Sequence, residues 1–111
     1  MKIYIIGKIN GLSSEEYIQN FQKAEKNLVS AGWETINPCR LGITIQTPLS
    51  EILKKFKSIS ENIQAIYLLE DWEDSLEARL QKSLAIHAHM DIYFEQWHTI
   101  EYMEKLKQEV I

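Results

Sequence analysis

The hydrophobic residues of this chain gather in four short β-prone runs, separated by longer stretches that mix apolar and polar positions. The four runs span residues 3–6, 33–36, 65–69 and 92–94. The first and third are apolar throughout, which is typical of parallel strands that are covered on both faces. Gly7 ends the first run, and Asn37-Pro38 ends the second. The pattern therefore predicts four strands, with the third in a central position.

The stretches between the runs carry apolar residues at three- and four-residue spacing, which predicts amphipathic helices. Ser13 and Glu16 have the spacing of a capping box, so the first helix should begin near residue 14. Thr47 and Pro48 are typical of the N-cap and the first position of a second helix. A final apolar stripe predicts a last helix. Its members are Trp97, Ile100, Met103, Leu106 and Val110.

The alternation of strands with helices decides the fold class. We predict an α/β fold with a doubly wound, parallel, four-stranded sheet, helices on both faces and an extra C-terminal helix. At 111 residues the chain can build one hydrophobic core, and no linker, repeat or low-complexity tract divides it. We therefore expect a single domain over residues 1–111, with residues 95–111 as a helical extension.

Composition narrows the classes of partner. The net charge of −4 argues against binding to polymeric nucleic acid. No apolar run approaches the length needed to cross a bilayer. The single Cys39 cannot form an internal disulfide, so nothing points to secretion. We expect a cytoplasmic protein that binds neither membranes nor nucleic-acid polymers.

The segment over residues 65–81 is the most distinctive part of the sequence, reading A-I-Y-L-L-E-D-W-E-D-S-L-E-A-R-L-Q. It resembles a small family of unassigned function that is related to the nucleoside 2-deoxyribosyltransferases. In that family an A-I-Y-L-L strand is followed by W-E-x-S-x-G-A-x-x-E. The resemblance covers about residues 1–95 and implies the flavodoxin-like fold of the transferases, a nucleoside or nucleotide ligand and no cofactor. It also implies a homodimer or a higher homo-oligomer.

The resemblance places the ligand beyond the carboxyl ends of the strands, where open α/β sheets bind their ligands. Six residues of the loops there would line the pocket: Gly7, Lys8, Asn10, Asn37, Trp72 and Ser75. Several of them also have a purely structural interpretation. Lys8 fits a solvated surface lysine, Asn37 a turn cap, and Trp72 a cover over the end of the sheet.

The reactive carboxylate of the resembled transferases is missing from this chain. Gln81 stands where they have the glutamate that attacks the sugar, and a neutral amide is a poor nucleophile. Gln64 also replaces an aspartate that many relatives carry before the third strand. Glu77 replaces the glycine of the motif one helical turn before Gln81, so the two side chains should share a face. Glu77 is therefore a candidate nucleophile or base, and a capping box with Asp74 is its structural alternative.

Other catalytic groups are poorly placed in the sequence. His87 and His89 are two residues apart and point in different directions on a helix, so we expect no metal site. Cys39 lacks the local setting of a nucleophile. Three functions stay open: a nucleoside- or nucleotide-binding protein without catalysis, an N-glycosidase or deoxyribosyltransferase that uses Glu77, and a self-association module built on the last helix.

Overall fold

Four parallel strands form one sheet in the computed structural model, which describes the backbone of residues 1–109 and the side chains of residues 1–106. The strands are β1 (Lys2–Ile6), β2 (Glu34–Ile36), β3 (Ala65–Leu68) and β4 (Asp91–Phe94). They lie in the order β2-β1-β3-β4, and every neighbouring pair is parallel. This is the strand order of flavodoxin-like sheets, so the predicted fold class is confirmed.

Helices cover both faces of this sheet. They are α1 (Ser14–Ser30), α2 (Leu49–Ile59), α3 (Leu76–His87) and α4 (Ile100–Glu109). Alternate residues of β1 point to opposite faces: Ile3 and Ile5 pack with α1 and α4, and Tyr4 and Ile6 pack with α2 and α3. The central strands β1 (from Ile3 onward) and β3 are apolar and buried because each face of the sheet has its own buried cluster.

The start of α1 confirms the predicted capping box, and the start of α2 differs from prediction. Ser13 Oγ accepts from the Glu16 backbone N–H, and the Glu16 carboxylate accepts from the Ser13 backbone N–H. Pro48, not Thr47, is the N-cap of α2, and no side chain caps that end. Thr47 Oγ1 instead accepts from the Thr44 backbone N–H at 2.9 Å, within the turn that precedes α2.

The C-terminal extension becomes helical later than predicted. Because α4 begins at Ile100, residues 95–99 are not helical, and Trp97 lies ahead of the helix with 64% of its surface exposed. The buried Met103 packs into the cluster between α1 and the sheet, and its carbonyl accepts from Trp33 Nε1 at 2.9 Å. Val110 lies outside the described residues. The described part of α4 is thus attached to the core, and self-association through this helix stays a prediction.

Within the described residues, no helix combines the length and the apolar character needed to cross a membrane. The four helices are amphipathic to different degrees and keep charged residues on their exposed sides. They serve to bury the two faces of the sheet.

Candidate ligand pocket

The pocket lies at the carboxyl ends of β1 and β3. The chain leaves β1 for β2 on one side and continues with β3 on the other, so these two strand ends form the switch point of the sheet. Most of the predicted site residues come together here. Those that line the pocket are Gly7, Asn10, Ser75, Glu77 and Gln81.

The carboxylate of Glu77 links the two loops that frame the pocket. Its Oε1 accepts from Asn10 Nδ2 at 2.7 Å, and its Oε2 accepts from Ser75 Oγ at 3.1 Å. Asn10 follows β1 and Ser75 follows β3, so the carboxylate bridges the switch point. Its negative charge also interacts favourably with the N-terminal end of the α3 dipole. Both oxygens are thus held in one orientation at the pocket.

The predicted capping box between Asp74 and Glu77 is wrong. Ser75 is the N-cap of α3, and its Oγ accepts from the Ala78 backbone N–H at 3.1 Å. Asp74 belongs to the short 3-10 turn Trp72–Asp74 that precedes the cap. Because the buried Ser75 hydroxyl satisfies the helix end, Glu77 has no capping role and is available to the pocket.

Gln81 is the buried polar residue at the back of this arrangement, with 5% of its surface exposed. Its Nε2 donates to the backbone carbonyl of Glu77 at 3.1 Å, one turn earlier in α3. This bond fixes the amide, and within the described residues nothing donates a hydrogen bond to its Oε1. Gln81 and Glu77 share a face of α3, as the spacing predicted, and both line the pocket.

Tyr4 is a pocket residue that the sequence reasoning did not single out. Its side chain is fully buried in β1 and lines the pocket, and its hydroxyl has no hydrogen-bond partner among the described residues. Burial raises the pKa of the Tyr4 phenol, and the nearby Cys39 raises it further. The available signal was a tyrosine in a run of isoleucines, because a buried phenol needs a partner that an aliphatic core cannot supply.

The free space inside the pocket is small, about 20 Å³. That volume holds about one water molecule. The outer wall comes from the turn before α2 and from α2 itself, through Ile43, Thr44, Thr47 and Ile52. A larger ligand therefore requires this turn or the Glu77 side chain to move.

Two predicted ligand residues have structural roles outside the pocket. Asn37 is buried, and its Oδ1 accepts from the Cys39 backbone N–H at 2.9 Å, which caps the 3-10 turn Pro38–Leu41. Lys8 donates its backbone N–H to Asp71 Oδ1 at 3.1 Å, which ties the β1 loop to the β3 loop. Neither side chain lines the pocket.

Trp72 also lies away from the pocket. Its ring packs on Phe94 with 5.8 Å between ring centroids, and Lys82 Nζ lies 4.9 Å from its centroid. Trp72 therefore covers the ends of β3 and β4 on the side of α3, which is the structural role that the sequence offered for it.

Gly7 is required by packing against β3. A Cβ built on Gly7 lies 2.5 Å from Leu69 Cδ1 and 3.0 Å from Leu69 Cβ, which is closer than carbon atoms approach. We expect Gly7→Ala to lower the free energy of unfolding by about 1–3 kcal/mol, because Leu69 is buried and cannot retreat freely. Urea unfolding measures the change. Gly11→Ala serves as a comparison, because a Cβ there meets the Lys8 side chain only at an ordinary contact distance of 3.5 Å, although the φ of Gly11 is positive at 89°. A loss at Gly7 no larger than about 0.5 kcal/mol would contradict the packing argument.

The comparisons with known proteins identify a family and no activity. The family model named Domain of unknown function (DUF4406) matches residues 1–94. The chain belongs to this family. No curated protein and no solved structure gives a significant match. The DUF4406 match includes every pocket residue and ends at the last residue of β4, so α4 lies beyond it.

The pocket of this DUF4406 chain offers hydrogen bonds and one carboxylate. Burial raises the pKa of the Cys39 thiol, and Glu25 raises it further, which disfavours a nucleophilic thiolate. In the described part of the chain, no group of three or more His, Cys, Asp or Glu side chains can hold a metal ion. Among the residues that the structure describes, Glu77 is the one charged group that lines the pocket.

Proposed function

We propose that the chain binds a nucleoside or nucleotide in this pocket and leaves its glycosidic bond intact. The buried Tyr4 hydroxyl carries the proposal, because it has no partner among the described residues and it lines the pocket. An unsatisfied buried hydroxyl costs about 1–3 kcal/mol of stability. A buried group of this kind calls for a physical explanation, and a ligand that supplies the missing bond is one.

The polar groups of the pocket match the chemistry of a sugar. Sugar hydroxyls both donate and accept hydrogen bonds, and the pocket contains donors and acceptors of several kinds. They include the Tyr4 and Ser75 hydroxyls and the Asn10 and Gln81 amides. The remaining wall is mostly apolar, with Ile6, Phe21 and Ile43 among its members besides Thr44 and Thr47, and suits the faces of a base.

Binding requires the pocket to open. Pockets that bind small molecules usually have a volume of roughly 300–1,000 Å³. The free volume of the closed pocket is about 20 Å³. Movement of Glu77 away from Asn10 and Ser75 removes the carboxylate from the switch point. The turn that contains Ile43 and Thr44 is the other movable wall, because it lies between short elements and is largely exposed.

The absence of cleavage follows from Gln81. Transfer of a deoxyribosyl group needs a carboxylate that attacks the anomeric carbon and stabilises the positive charge that develops on the sugar. The Gln81 amide is neutral, and its Nε2 is held by the Glu77 carbonyl. It can accept or donate a hydrogen bond to the sugar, and it lacks the charge for the reaction.

Incubation with a panel of deoxynucleosides and deoxynucleotides tests this function. We expect at least one compound to raise the Tm of the wild-type protein in a saturable manner, with no free base detected by chromatography. We expect Gln81→Glu to release base from the same compound, since a restored carboxylate speeds such a step by on the order of a hundredfold or more.

The matched control for this test is Gln22→Glu, which makes the same chemical change on the exposed surface of α1. It should bind as the wild type does and release no base. Absence of a thermal shift across the whole panel would contradict binding. Base release by the wild type would contradict the proposed lack of catalysis.

A second candidate is an N-glycosidase or transferase that uses Glu77. The observation in its favour is that two donors, Asn10 and Ser75, hold both carboxylate oxygens at the pocket. Catalytic carboxylates are commonly positioned by such neighbours. This candidate requires base release by the wild type that Glu77→Ala abolishes, which the proposed binding function forbids.

A further inference from the structure

A second cleft lies on the other face of the sheet, at the carboxyl ends of β3 and β4. It encloses about 670 Å³, a volume typical of small-molecule sites. The side of α1 forms one wall, and the segment from Glu95 to Ile100 forms another. That segment follows the residues that the family model matches. The cleft is therefore separate from the nucleoside pocket and depends on the C-terminal extension.

The walls of this cleft are negatively charged. Four carboxylates and one ammonium group line it: Glu70, Asp71, Asp74 and Glu95, with Lys23. Among the described side chains, none of these carboxylates forms an ion pair. His98 Nδ1 accepts from the Phe94 backbone N–H at 2.9 Å. A cleft in which negative side chains outnumber positive ones attracts cations.

Tyr67 gives an independent sign of a ligand in the same cleft. Its side chain is 2% exposed and lines the cleft, and its hydroxyl makes no hydrogen bond to any described residue. Burial raises the pKa of Tyr67 to about 12, and the Glu95 carboxylate contributes to that rise. The phenol is therefore neutral at physiological pH, with an oxygen that can accept from an N–H donor.

The carboxylates are spread along the cleft and do not converge on one point. No group of three or more acidic or His side chains in the described part of the chain can hold a metal ion. Two of the carboxylates are fixed by backbone donors: Glu95 Oε1 accepts from the Glu70 N–H at 3.0 Å, and Asp71 Oδ1 from the Lys8 N–H at 3.1 Å. Each leaves its second oxygen for a ligand. A cation with separated positive groups fits this distribution better than a single ion.

We propose that this cleft binds a small organic polycation, an aliphatic diamine or polyamine, with its ammonium groups at the Glu70, Asp74 and Glu95 carboxylates and one N–H donating to the Tyr67 hydroxyl. The carboxylates supply negative charge, and the Tyr67 hydroxyl lines the same cleft. The aliphatic spacer lies along the remaining wall, which includes Leu69 and Ile100.

Calorimetric titration of the full chain with spermidine and with putrescine tests the proposal. We expect one site per chain, weakened but still present at physiological ionic strength. Glu95→Gln keeps an oxygen for the Glu70 N–H and removes the charge, so it should weaken binding roughly tenfold. Tyr67→Phe removes one hydrogen bond and keeps the ring, so it should weaken binding about fivefold. Amide chemical shifts should change at Glu70 and Glu95 on titration.

Glu51→Gln is the matched control, because it removes one exposed carboxylate from α2 on the opposite face. It should bind both amines as the wild type does. Equal weakening by Glu51→Gln and Glu95→Gln would overturn the proposal, since it would mean general attraction to an acidic protein. The proposal would also be overturned by unchanged binding in Tyr67→Phe or by the absence of heat with either amine. Binding of magnesium ion at the same residues more tightly than the amines would overturn it as well.

Discussion

Tyr4→Phe is expected to raise the free energy of unfolding of the ligand-free protein by about 1–3 kcal/mol. The substitution removes a buried hydroxyl that has no partner among the described residues, and it keeps the ring that packs on Phe56 at 5.3 Å between centroids. Loss of one oxygen leaves little empty volume to offset the gain. Urea unfolding measures the change directly, and the Tm should rise by several degrees.

Under the proposed binding function, the same substitution should weaken nucleoside binding by about fivefold or more, because the ligand loses one hydrogen bond. Tyr4→Phe should therefore raise the stability of the protein and lower its affinity for the ligand. This trade-off is typical of a residue that serves function at the expense of stability. Tyr102→Phe is the matched control: its ring is 44% exposed, and its hydroxyl reaches solvent. It should change stability by no more than about 0.5 kcal/mol. A loss of stability in Tyr4→Phe would mean that the hydroxyl is satisfied in solution.

The pH dependence of unfolding gives a second measure of the Tyr4 environment. Burial raises the pKa of Tyr4 above its ordinary value of 10.0. Above that pH the unfolded chain loses the phenol proton and the folded chain keeps it, so stability is full below pH 10.0 and falls as pH rises. The wild type should thus lose stability more steeply than Tyr4→Phe in this range. Tyr67 and Tyr93 contribute equally to both proteins and cancel in the comparison.

The fold was predictable from sequence because the two central strands, β1 and β3, are buried on both faces and form uniform apolar runs. Ile3 belongs to the buried cluster on one face of the sheet, and Ile66 belongs to the cluster on the other face. A strand with an apolar residue at every position has no side that faces solvent. Helix starts were harder to predict. Asp74, Ser75 and Thr47 are all acceptable N-cap residues, and the choice depends on which backbone N–H each side chain reaches.

Residues that follow β1 and β3, or lie in the first two turns of α3, supply the part of the pocket lining that the sequence predicted, whereas Lys8 and Trp72 in the same loops do not line it. Gly7, Asn10 and Ser75 come together because parallel strands bring their carboxyl ends to one edge. Asn37 follows the edge strand β2 and serves its own turn instead. Tyr4 escaped prediction because its missing partner is a property of the folded core, and sequence alone does not reveal which neighbours surround a hydroxyl.

Under the proposed binding function, we expect Glu77→Ala to tighten nucleoside binding by roughly thirtyfold, because a ligand must first displace the wild-type carboxylate. The hydrogen bonds from Asn10 and Ser75 hold that carboxylate at the switch point. At a partly exposed site they favour the closed pocket by about 2 kcal/mol. A ligand that binds only the open form has its affinity reduced by the open fraction, and 2 kcal/mol corresponds to about thirtyfold. Calorimetry with the best compound of the panel measures the difference.

Two control variants separate space from charge in this experiment. Glu77→Gln keeps the length of the side chain and an oxygen for Asn10, so its affinity should stay close to that of the wild type. Glu73→Ala removes an exposed carboxylate from the same loop, which tests whether lower negative charge alone attracts a nucleotide. Weaker binding in Glu77→Ala would refute the blocking role, since the carboxylate would then be a ligand contact. Weaker binding together with base release by the wild type would instead make Glu77 the catalytic group.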